Sequence, residues 1–212
     1  AAMALANRNT TVFIDRLAHY SLLTGVKASG ARMQRFAHND ASDLRRRLKS
    51  FRKNQSQNQV LVITESLFSM EGTSPPLKEI VEICVEHNAK LLVDEAHALG
   101  IMGEQGRGLC YGLGQPLIMI TGTFGKAFGS GGAFLACDQE VGEEFLQNSG
   151  AFRYTTALAP PLAASTYEAL NLITANPKWG ISLIAQAKSW RNHLESAGWE
   201  RPLGNGPIIS LI

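Results

Sequence analysis

A lysine flanked by glycines stands in the segment TGTFGKAFGSGG, which spans Thr121–Gly132. A lysine amine becomes a nucleophile toward an aldehyde when its surroundings lower its pKa. Earlier in the chain, Asp94 directly follows the apolar run LLV, and His97 comes three residues after it. Taken singly, Lys126 could equally be a solvated loop residue and Asp94 the cap of a turn. The two together indicate a more specific chemistry.

An amine and an anion in this order meet the requirements of pyridoxal phosphate. The amine holds the aldehyde of the cofactor as a Schiff base, and the anion keeps the ring nitrogen protonated so that the ring accepts the electrons of a carbanion. We therefore predict that Lys126 binds pyridoxal phosphate covalently and that Asp94 is the partner of its ring nitrogen.

The elements that must position these residues indicate an α/β domain, with a mostly parallel sheet between layers of helices. Short aliphatic or β-branched runs predict strands at TVFI, VLVIT, KLLV, LIMIT and GAFLA. Asp94 then lies at the carboxyl end of a strand, where open α/β sheets bind ligands. We expect His38 and Asp40 to cap a helix rather than to touch substrate. Apolar periodicity predicts helices over Ala41–Phe51, Leu77–His87 and Ile181–Ala197.

A turn at ANPKW, residues 175–179, suggests a boundary between two domains. We predict a large cofactor-binding domain over residues 1–176, incomplete at its N-terminus, and the truncated start of a small domain over residues 177–212. The apolar run within Arg201–Ile212 predicts an opening strand of that second domain. The abrupt first and last elements lead us to expect a fragment of a longer protein.

Composition argues against several classes of protein. The 212 residues are 45% hydrophobic and 18% charged, which suits a globular domain with a sizeable core. The net charge is only +2, and we interpret the basic run Arg45–Arg47 as a solvated helix face, so we expect no nucleic-acid partner. Three cysteines without metal-site or disulfide spacing predict no bound metal and favour a reducing cytoplasm. No apolar run approaches the roughly eighteen residues of a membrane span.

Five segments resemble motifs of the α-oxoamine synthases, which are class II pyridoxal-dependent enzymes with the aspartate-aminotransferase fold (fold type I). They occur in the order of that family and span most of the chain. The resemblance implies an acyltransferase that condenses an amino acid with an acyl thioester and releases carbon dioxide. The segments are DRLAHYSL at Asp15–Leu22, HND at His38–Asp40, ESLFSMEG at Glu65–Gly72, VDEAHALGIMGEQGRG at Val93–Gly108 and TGTFGKAFGSGG.

The resemblance also implies roles for single residues. Lys126 matches the Schiff-base lysine, which removes the α-proton of the amino acid, and Asp94 matches the partner of the pyridine nitrogen. His97 matches the histidine that hydrogen-bonds the phenolic oxygen of the cofactor. His19 matches the histidine that stacks on the cofactor ring near the substrate, and Glu65 is expected to orient the acyl thioester.

Four hydroxyl residues match cofactor contacts of the family. Ser69 and Thr123 are expected to contact the cofactor, Thr123 at its phosphate. In FRYTTALAPP, Thr155 and Thr156 stand where the family reaches the phosphate of the partner subunit. The resemblance thus implies a homodimer with shared active sites. The phosphate-cradle motif of the family lies upstream of its stacking histidine and has no counterpart before His19, and its substrate-carboxylate arginine lies beyond Ile212.

The motifs GTFGKAFG and GEQGRGLC are most similar to the members that join L-alanine to a pimeloyl thioester, of coenzyme A or acyl carrier protein, in biotin synthesis. Members that use glycine and acetyl-CoA are the alternative, and a catalytically inert subunit of the same fold is a third. VDEAH also resembles the DEAH box of helicases. A helicase needs a P-loop, but Ile120 and Ala127 occupy its first glycine and its hydroxyl positions, and Lys126 follows VDEAH instead of preceding it.

Overall fold

A computed structural model describes residues 1–54 and 58–211 of the chain. In these residues a sheet of six strands has the order β2-β1-β3-β4-β5-β6. The first five strands are parallel, and β6 is antiparallel to β5. Each predicted run contributes a strand, so the predicted α/β architecture is confirmed. The strands are β1 (Thr10–Asp15), β2 (Arg32–Phe36), β3 (Gln59–Glu65), β4 (Lys90–Asp94), β5 (Leu117–Thr123) and β6 (Ala133–Ala136).

Helices connect the first four strands and then dominate the last third of the chain. The three predicted helices correspond to α3, α4 and α8, with ends that differ by a few residues. No helix in the described part of the chain combines the length and apolarity needed to cross a membrane. The helices are α1 (Ala2–Leu5), α2 (Tyr20–Ser29), α3 (Ala41–Asn54), α4 (Leu77–Glu86), α5 (Gln139–Asn148), α6 (Gly150–Arg153), α7 (Pro160–Ala175) and α8 (Lys178–Ser196).

The core consists of two apolar clusters, one on each face of the sheet. Side chains of α3 and α4 pack over Val62 and Val93, whereas those of α1 and α2 pack over Ile63 and Leu92. Successive residues of a strand point to opposite faces, so a strand covered on both faces must be apolar at every position. This explains why β3 and β4 were recognisable as continuous apolar runs.

Strand β2 was missed by the sequence analysis because its residues, RMQRF, are mostly polar. It lies at the edge of the sheet and pairs only with β1, with Met33 opposite Val12. Its side chains are largely exposed or half-buried, apart from the buried Phe36. An edge strand with this exposure does not need the apolar pattern that identifies central strands.

The strand predicted within Arg201–Ile212 is wrong for residues 201–211, which form no strand, and Ile212 lies outside the described residues. Pro202 and a positive φ of 78° at Gly204 interrupt an extended ladder. The segment instead contacts the loop after β3, where the Ser210 hydroxyl donates to the carbonyl of Met70. The turn expected near residue 176 separates α7 from α8. The domain boundary there stays a prediction.

Candidate functional site

Carboxylates end three neighbouring strands at one edge of the sheet. Asp15 ends β1, Glu65 ends β3 and Asp94 ends β4, and Glu65 is the register partner of Asp94. Asp15 and Glu65 are buried and Asp94 is half-buried. Buried carboxylates require hydrogen-bond donors. The amide of Leu17 donates to Asp15 at 2.9 Å, and that of Ala96 donates to Asp94 at 2.9 Å.

Glu65 has the most perturbed carboxyl group of this edge. Its Oε1 accepts a hydrogen bond from the amide of His19 at 2.5 Å. Burial raises the pKa of Glu65 to about 7, and the nearby Asp94 and Asp15 carboxylates add to the rise, while the His19 amide and the Lys126 ammonium oppose it. Glu65 can therefore hold a proton near neutral pH.

The Lys126 loop, residues 124–132, connects β5 to the antiparallel β6. The hydroxyl of Thr123 donates to the Gly132 carbonyl at 3.1 Å and accepts from the Gly125 amide at 3.2 Å. The Phe124 amide also donates to the Gly132 carbonyl, at 2.9 Å. These bonds close the base of the loop, and they give the Thr123 hydroxyl a structural partner where contact with a phosphate was expected.

The amine of Lys126 meets the ring of His97 at this edge, with Nζ 2.6 Å from Nε2. Partial burial lowers the pKa of Lys126, and the Asp94 and Glu65 carboxylates oppose this shift. Burial also lowers the pKa of His97, as do the charges of Lys126 and His19, while Asp94 opposes. An amine that loses its proton more readily, beside an imidazole that stays neutral, is suited to attack an aldehyde.

His19 lies at the start of a helix and close to this group of residues. It is the N-cap of α2, where its Nδ1 accepts from the Ser21 amide at 3.3 Å, and its ring is exposed. Its charge acts on His97. The structure thus brings together five of the predicted site residues: Lys126, Asp94, His97, Glu65 and His19.

In the described part of the chain, three other predicted residues make no hydrogen bond to this group. Ser69 is half-buried in the loop after β3. Thr155 and Thr156 lie in an exposed segment between α6 and α7. Their expected contacts with the cofactor stay predictions.

The helix-capping expectation is right for Asp40 and wrong for His38. Asp40 Oδ1 accepts from the Asp43 amide at 2.8 Å at the start of α3. The ring of His38 lies instead between Asp15 Oδ1, at 3.0 Å from Nδ1, and Thr73 Oγ1, at 2.8 Å from Nε2. The buried carboxylate of Asp15 needs a donor, and the imidazole supplies it.

The basic run on α3 is paired with acidic side chains. Arg46 and Arg47 both bond to Asp43 on the same helix, the latter at 2.7 Å, and Arg45 pairs with Glu86 of α4. These pairs support the interpretation of the run as a solvated helix face.

Comparison with known proteins identifies the family of this chain. The model of the family described as aminotransferase class I and II matches residues 1–212. The chain belongs to this family. Its resemblance to the α-oxoamine synthases is confirmed by relatives named 8-amino-7-oxononanoate synthase. One from Cellvibrio japonicus (strain Ueda107) is 40% identical over 98% of this chain, and one from Methylococcus capsulatus (strain ATCC 33009 / NCIMB 11132 / Bath) is 39% identical over 99%.

Solved structures agree on the fold of this aminotransferase-family chain. A serine palmitoyltransferase from S. paucimobilis, with a bound PLP–myriocin aldimine, has a TM-score of 0.87 at 28% identity and matches 94% of this chain and 50% of its own. An 8-amino-7-oxononanoate synthase from Francisella tularensis has a TM-score of 0.76 at 22% identity, over 99% of this chain and 60% of its own, which concerns the fold alone. The chain spans about half the length of the curated relatives it matches.

The donor set at the strand edge fits pyridoxal phosphate. It offers an exposed amine with a lowered pKa at Lys126, a half-buried carboxylate at Asp94 and a ring nitrogen of His97 beside the amine. An amine for the aldehyde, an anion for the pyridinium and a polar group for the phenolic oxygen are the contacts that the cofactor needs.

Sequence reasoning missed Glu95, which directly follows Asp94 and is 1% exposed. Its carboxylate accepts hydrogen bonds from the amides of Leu109 and Cys110, both at 3.0 Å. A charged residue immediately after a strand-end aspartate was the only signal in the sequence. Which distant amides it would meet could be seen only in the folded chain.

Proposed function

We propose that the full-length protein is a pyridoxal-phosphate-dependent acyltransferase that condenses an amino acid with an acyl thioester, with loss of carbon dioxide. The single observation that carries the proposal is the 2.6 Å contact between Lys126 Nζ and His97 Nε2, beside the Asp94 carboxylate. The names of the relatives support the reaction class. Because the chain spans about half of their length, the proposal concerns the whole protein.

Three side chains would hold the cofactor at the strand edge. Lys126 would bind its aldehyde carbon through Nζ, Asp94 would pair with its ring nitrogen, and His97 would contact its phenolic oxygen. When bound, pyridoxal phosphate supplies an electron sink that stabilises a carbanion at the α-carbon of the amino acid. Ser69 and Thr123 are the further hydroxyl contacts in this proposal.

Lys126 also moves the proton. When it is not bound to the cofactor, the Lys126 amine would accept the α-proton of the amino acid as a general base, and the lowered pKa of Lys126 favours that role. Asp94 would pair with the ring nitrogen of the cofactor. Lys126 then holds the proton at Nζ close to the reacting carbon.

Two other residues would face the substrates. The exposed ring of His19 would contact the cofactor ring near the amino acid. Glu65, with a pKa of about 7, keeps a proton near neutrality and can donate a hydrogen bond to the carbonyl oxygen of the acyl thioester. This orients the thioester for attack.

As the specific reaction we propose the condensation of L-alanine with pimeloyl-CoA or pimeloyl-acyl carrier protein, which gives 8-amino-7-oxononanoate in biotin synthesis. The shared name of relatives at about 40% identity supports this choice. We further propose a homodimer with shared active sites, in the cytoplasm, since all three cysteines are free.

A spectrum and a substrate comparison test the proposal. The full-length protein mixed with pyridoxal phosphate should absorb visible light, and borohydride should fix the cofactor to the peptide that contains Lys126. Alanine with a pimeloyl thioester should give product faster than glycine with acetyl-CoA. Absence of the visible band would refute the cofactor, and preference for glycine would refute the specific substrates alone.

Replacement of the lysine gives the sharpest loss of activity. Lys126→Ala in the full-length protein should lower product formation by at least about a thousandfold, because both the covalent attachment and the general base are lost. Circular dichroism should stay unchanged, since Lys126 is exposed. Lys78→Ala, on the exposed side of α4, is the matched control and should remain active. Comparable activity in the two variants would contradict the proposal.

A further inference from the structure

Glu95 places a charged group in the interior, next to the proposed active site. Its Oε1 accepts from the amides of Leu109 at 3.1 Å and Cys110 at 3.0 Å, and its Oε2 accepts from Leu109 at 3.0 Å. Burial raises the pKa of Glu95, and hydrogen bonds from the side chains of Cys110 and Ser66 and from the two amides oppose the rise. A carboxylate this deep is stable only while those donors stay in place.

The segment between Glu95 and these donors folds into one compact loop. The Gly100 amide donates to the Gly106 carbonyl at 2.8 Å, and the Gly108 amide donates to the Met102 carbonyl at 2.9 Å. Two backbone hydrogen bonds therefore bridge the loop before it reaches the carboxylate. We call residues 96–110 the glycine loop.

Both ends of the glycine loop are attached to the same residue. At its start, the amides of Ala98 and Leu99 donate to the carbonyl of Glu95, at 3.0 and 3.1 Å. At its end, Leu109 and Cys110 donate to the side chain of Glu95. His97 lies in the first turn of the loop, between these two attachments. Its ring contacts Lys126.

The residue opposite the carboxylate must be glycine. A Cβ at Gly108, where φ is +88°, would lie 1.8 Å from Glu95 Oε2. Gly112, where φ is +81°, has a similar backbone but would meet nothing within 4 Å. The two positions separate the cost of a positive φ from the cost of displacing the carboxylate.

We propose that Glu95 is a positioning residue that, by holding the Leu109 and Cys110 amides, keeps the glycine loop closed and His97 Nε2 against Lys126. Its catalytic consequence rests on the proposed function. Its mechanical part concerns only residues of this chain and can be measured without the cofactor.

Two variants of the full-length protein test the role of the carboxylate. Glu95→Ala removes both acceptors, whereas Glu95→Gln can keep the Oε1 contacts but sets an amide N–H against the Leu109 amide. In the cofactor-free protein, hydrogen–deuterium exchange should accelerate at residues 96–110, more in the alanine variant than in the glutamine variant. Exchange in β1 and β3 should stay as in the wild type.

The loaded protein gives a second readout. A displacement of about 1 Å at a reacting group can lower a rate about a hundredfold. We expect kcat to fall by up to that factor in Glu95→Ala, with a smaller change in KM for the amino acid. The pH at which the visible band changes should also shift, because His97 no longer lies beside Lys126.

Matched glycine variants separate this role from backbone strain. Gly108→Ala should reproduce the faster exchange of Glu95→Ala in the glycine loop, and Gly112→Ala should not. Unchanged exchange and an unchanged pH profile in both Glu95 variants would overturn the proposal. Faster exchange throughout the protein in Glu95→Gln would also overturn it, since the role would then be general stability. A wild-type protein without a visible band would refute the proposed function, while the cofactor-free exchange would still decide the role of Glu95.

Discussion

The carboxyl ends of the strands and the helices α6–α8 differ in which side chains they bury and which they expose. At the edge, the ionisable groups of Glu65 and Glu95 are only 3% and 1% exposed and accept backbone hydrogen bonds. Next to or on the helices, the apolar side chains of Tyr154, Ile181 and Trp190 are 83%, 68% and 64% exposed. The buried carboxylates therefore find their hydrogen-bond donors within this stretch of chain. The helices present an apolar surface of the kind that marks contact sites.

The two regions meet at an apolar cavity. A cavity of about 590 Å³ lies between α7 and the Lys126 loop, lined by Phe124, Phe128, Phe134 and Leu170 among others. Phe124 and Phe128 belong to the loop that presents Lys126. In that loop Lys126 therefore lies near the carboxylates, while the two phenylalanines line an apolar cavity.

The largest difference between the regions should be in stability. In the full-length protein, Ile80→Ala should lower the free energy of unfolding by about 2–5 kcal/mol, because Ile80 is fully buried between α4 and the sheet. Ile181→Ala removes the same atoms from an exposed position and should stay within about 0.5 kcal/mol of the wild type. Chemical denaturation followed by circular dichroism measures both. An equally large loss for Ile181→Ala would mean that the helices are buried in the whole protein and that the contrast is confined to this stretch.

The sequence predicted the carboxyl ends of the central strands better than it predicted the helices, and the reason is physical. Continuous apolar runs identify strands buried on both faces, so β3 and β4 fix where Glu65 and Asp94 must lie. The exposed edge strand β2 lacks that signal. In residues 201–211 the apolar run exists, but proline and glycine break the extended backbone and the segment packs on a loop.

Within the site, how well a residue could be predicted depends on how far along the chain its partners lie. Asp94 and Lys126 were predictable because each adjoins the end of a strand and their chemistry is complementary. The bonds of Glu95 to Leu109 and Cys110, and of His38 to Asp15, join residues far apart in the sequence by backbone amides or buried carboxylates. Local patterns carry no information about such partners, so Glu95 was missed and His38 was assigned to the wrong role.

The next effect is a dependence of the protein's stability on pH, caused by Glu65 at the end of β3. The pKa of Glu65 is raised to about 7 in the folded state by burial. The folded protein therefore binds more protons than the unfolded chain between about pH 4.5 and 7. Stability should fall as pH rises through that window, with a slope of at most about 1.4 kcal/mol per pH unit from this group. Glu65→Gln should lose this contribution, so the variant should gain stability relative to the wild type as pH rises to 7.

Denaturation curves at several pH values check the Glu65 prediction. Glu82→Gln is the matched control: it removes the same carboxyl group, but from the exposed side of α4. Its difference from the wild type should change little between pH 4.5 and 7. A difference between the wild type and Glu65→Gln that is equally flat would show that Glu65 is ionised throughout, and its proposed hydrogen bond to the thioester carbonyl would fail.

The smallest expected effect concerns the exposed segment before α7. If Thr155 and Thr156 reach the cofactor phosphate of a partner subunit, replacing both by alanine should raise the dissociation constant of pyridoxal phosphate by at least about tenfold, since even one hydrogen bond to a charged group contributes about 1.5–3 kcal/mol. Fluorescence titration of the full-length protein measures it. Thr174→Ala, whose hydroxyl donates to the Leu170 carbonyl within α7 at 2.7 Å, is the matched control and should bind the cofactor normally.

Mixing two variants distinguishes a shared site from a site within one subunit. A mixed dimer of Lys126→Ala and the Thr155→Ala, Thr156→Ala double variant would contain one site with an intact lysine and intact threonines only if the threonines cross to the partner. At cofactor concentrations too low to fill the double variant, mixing should then restore turnover that neither variant has alone. Without recovery, the threonines act within their own subunit or not at all, and the exposure of this segment would have another cause than an active site shared between two chains.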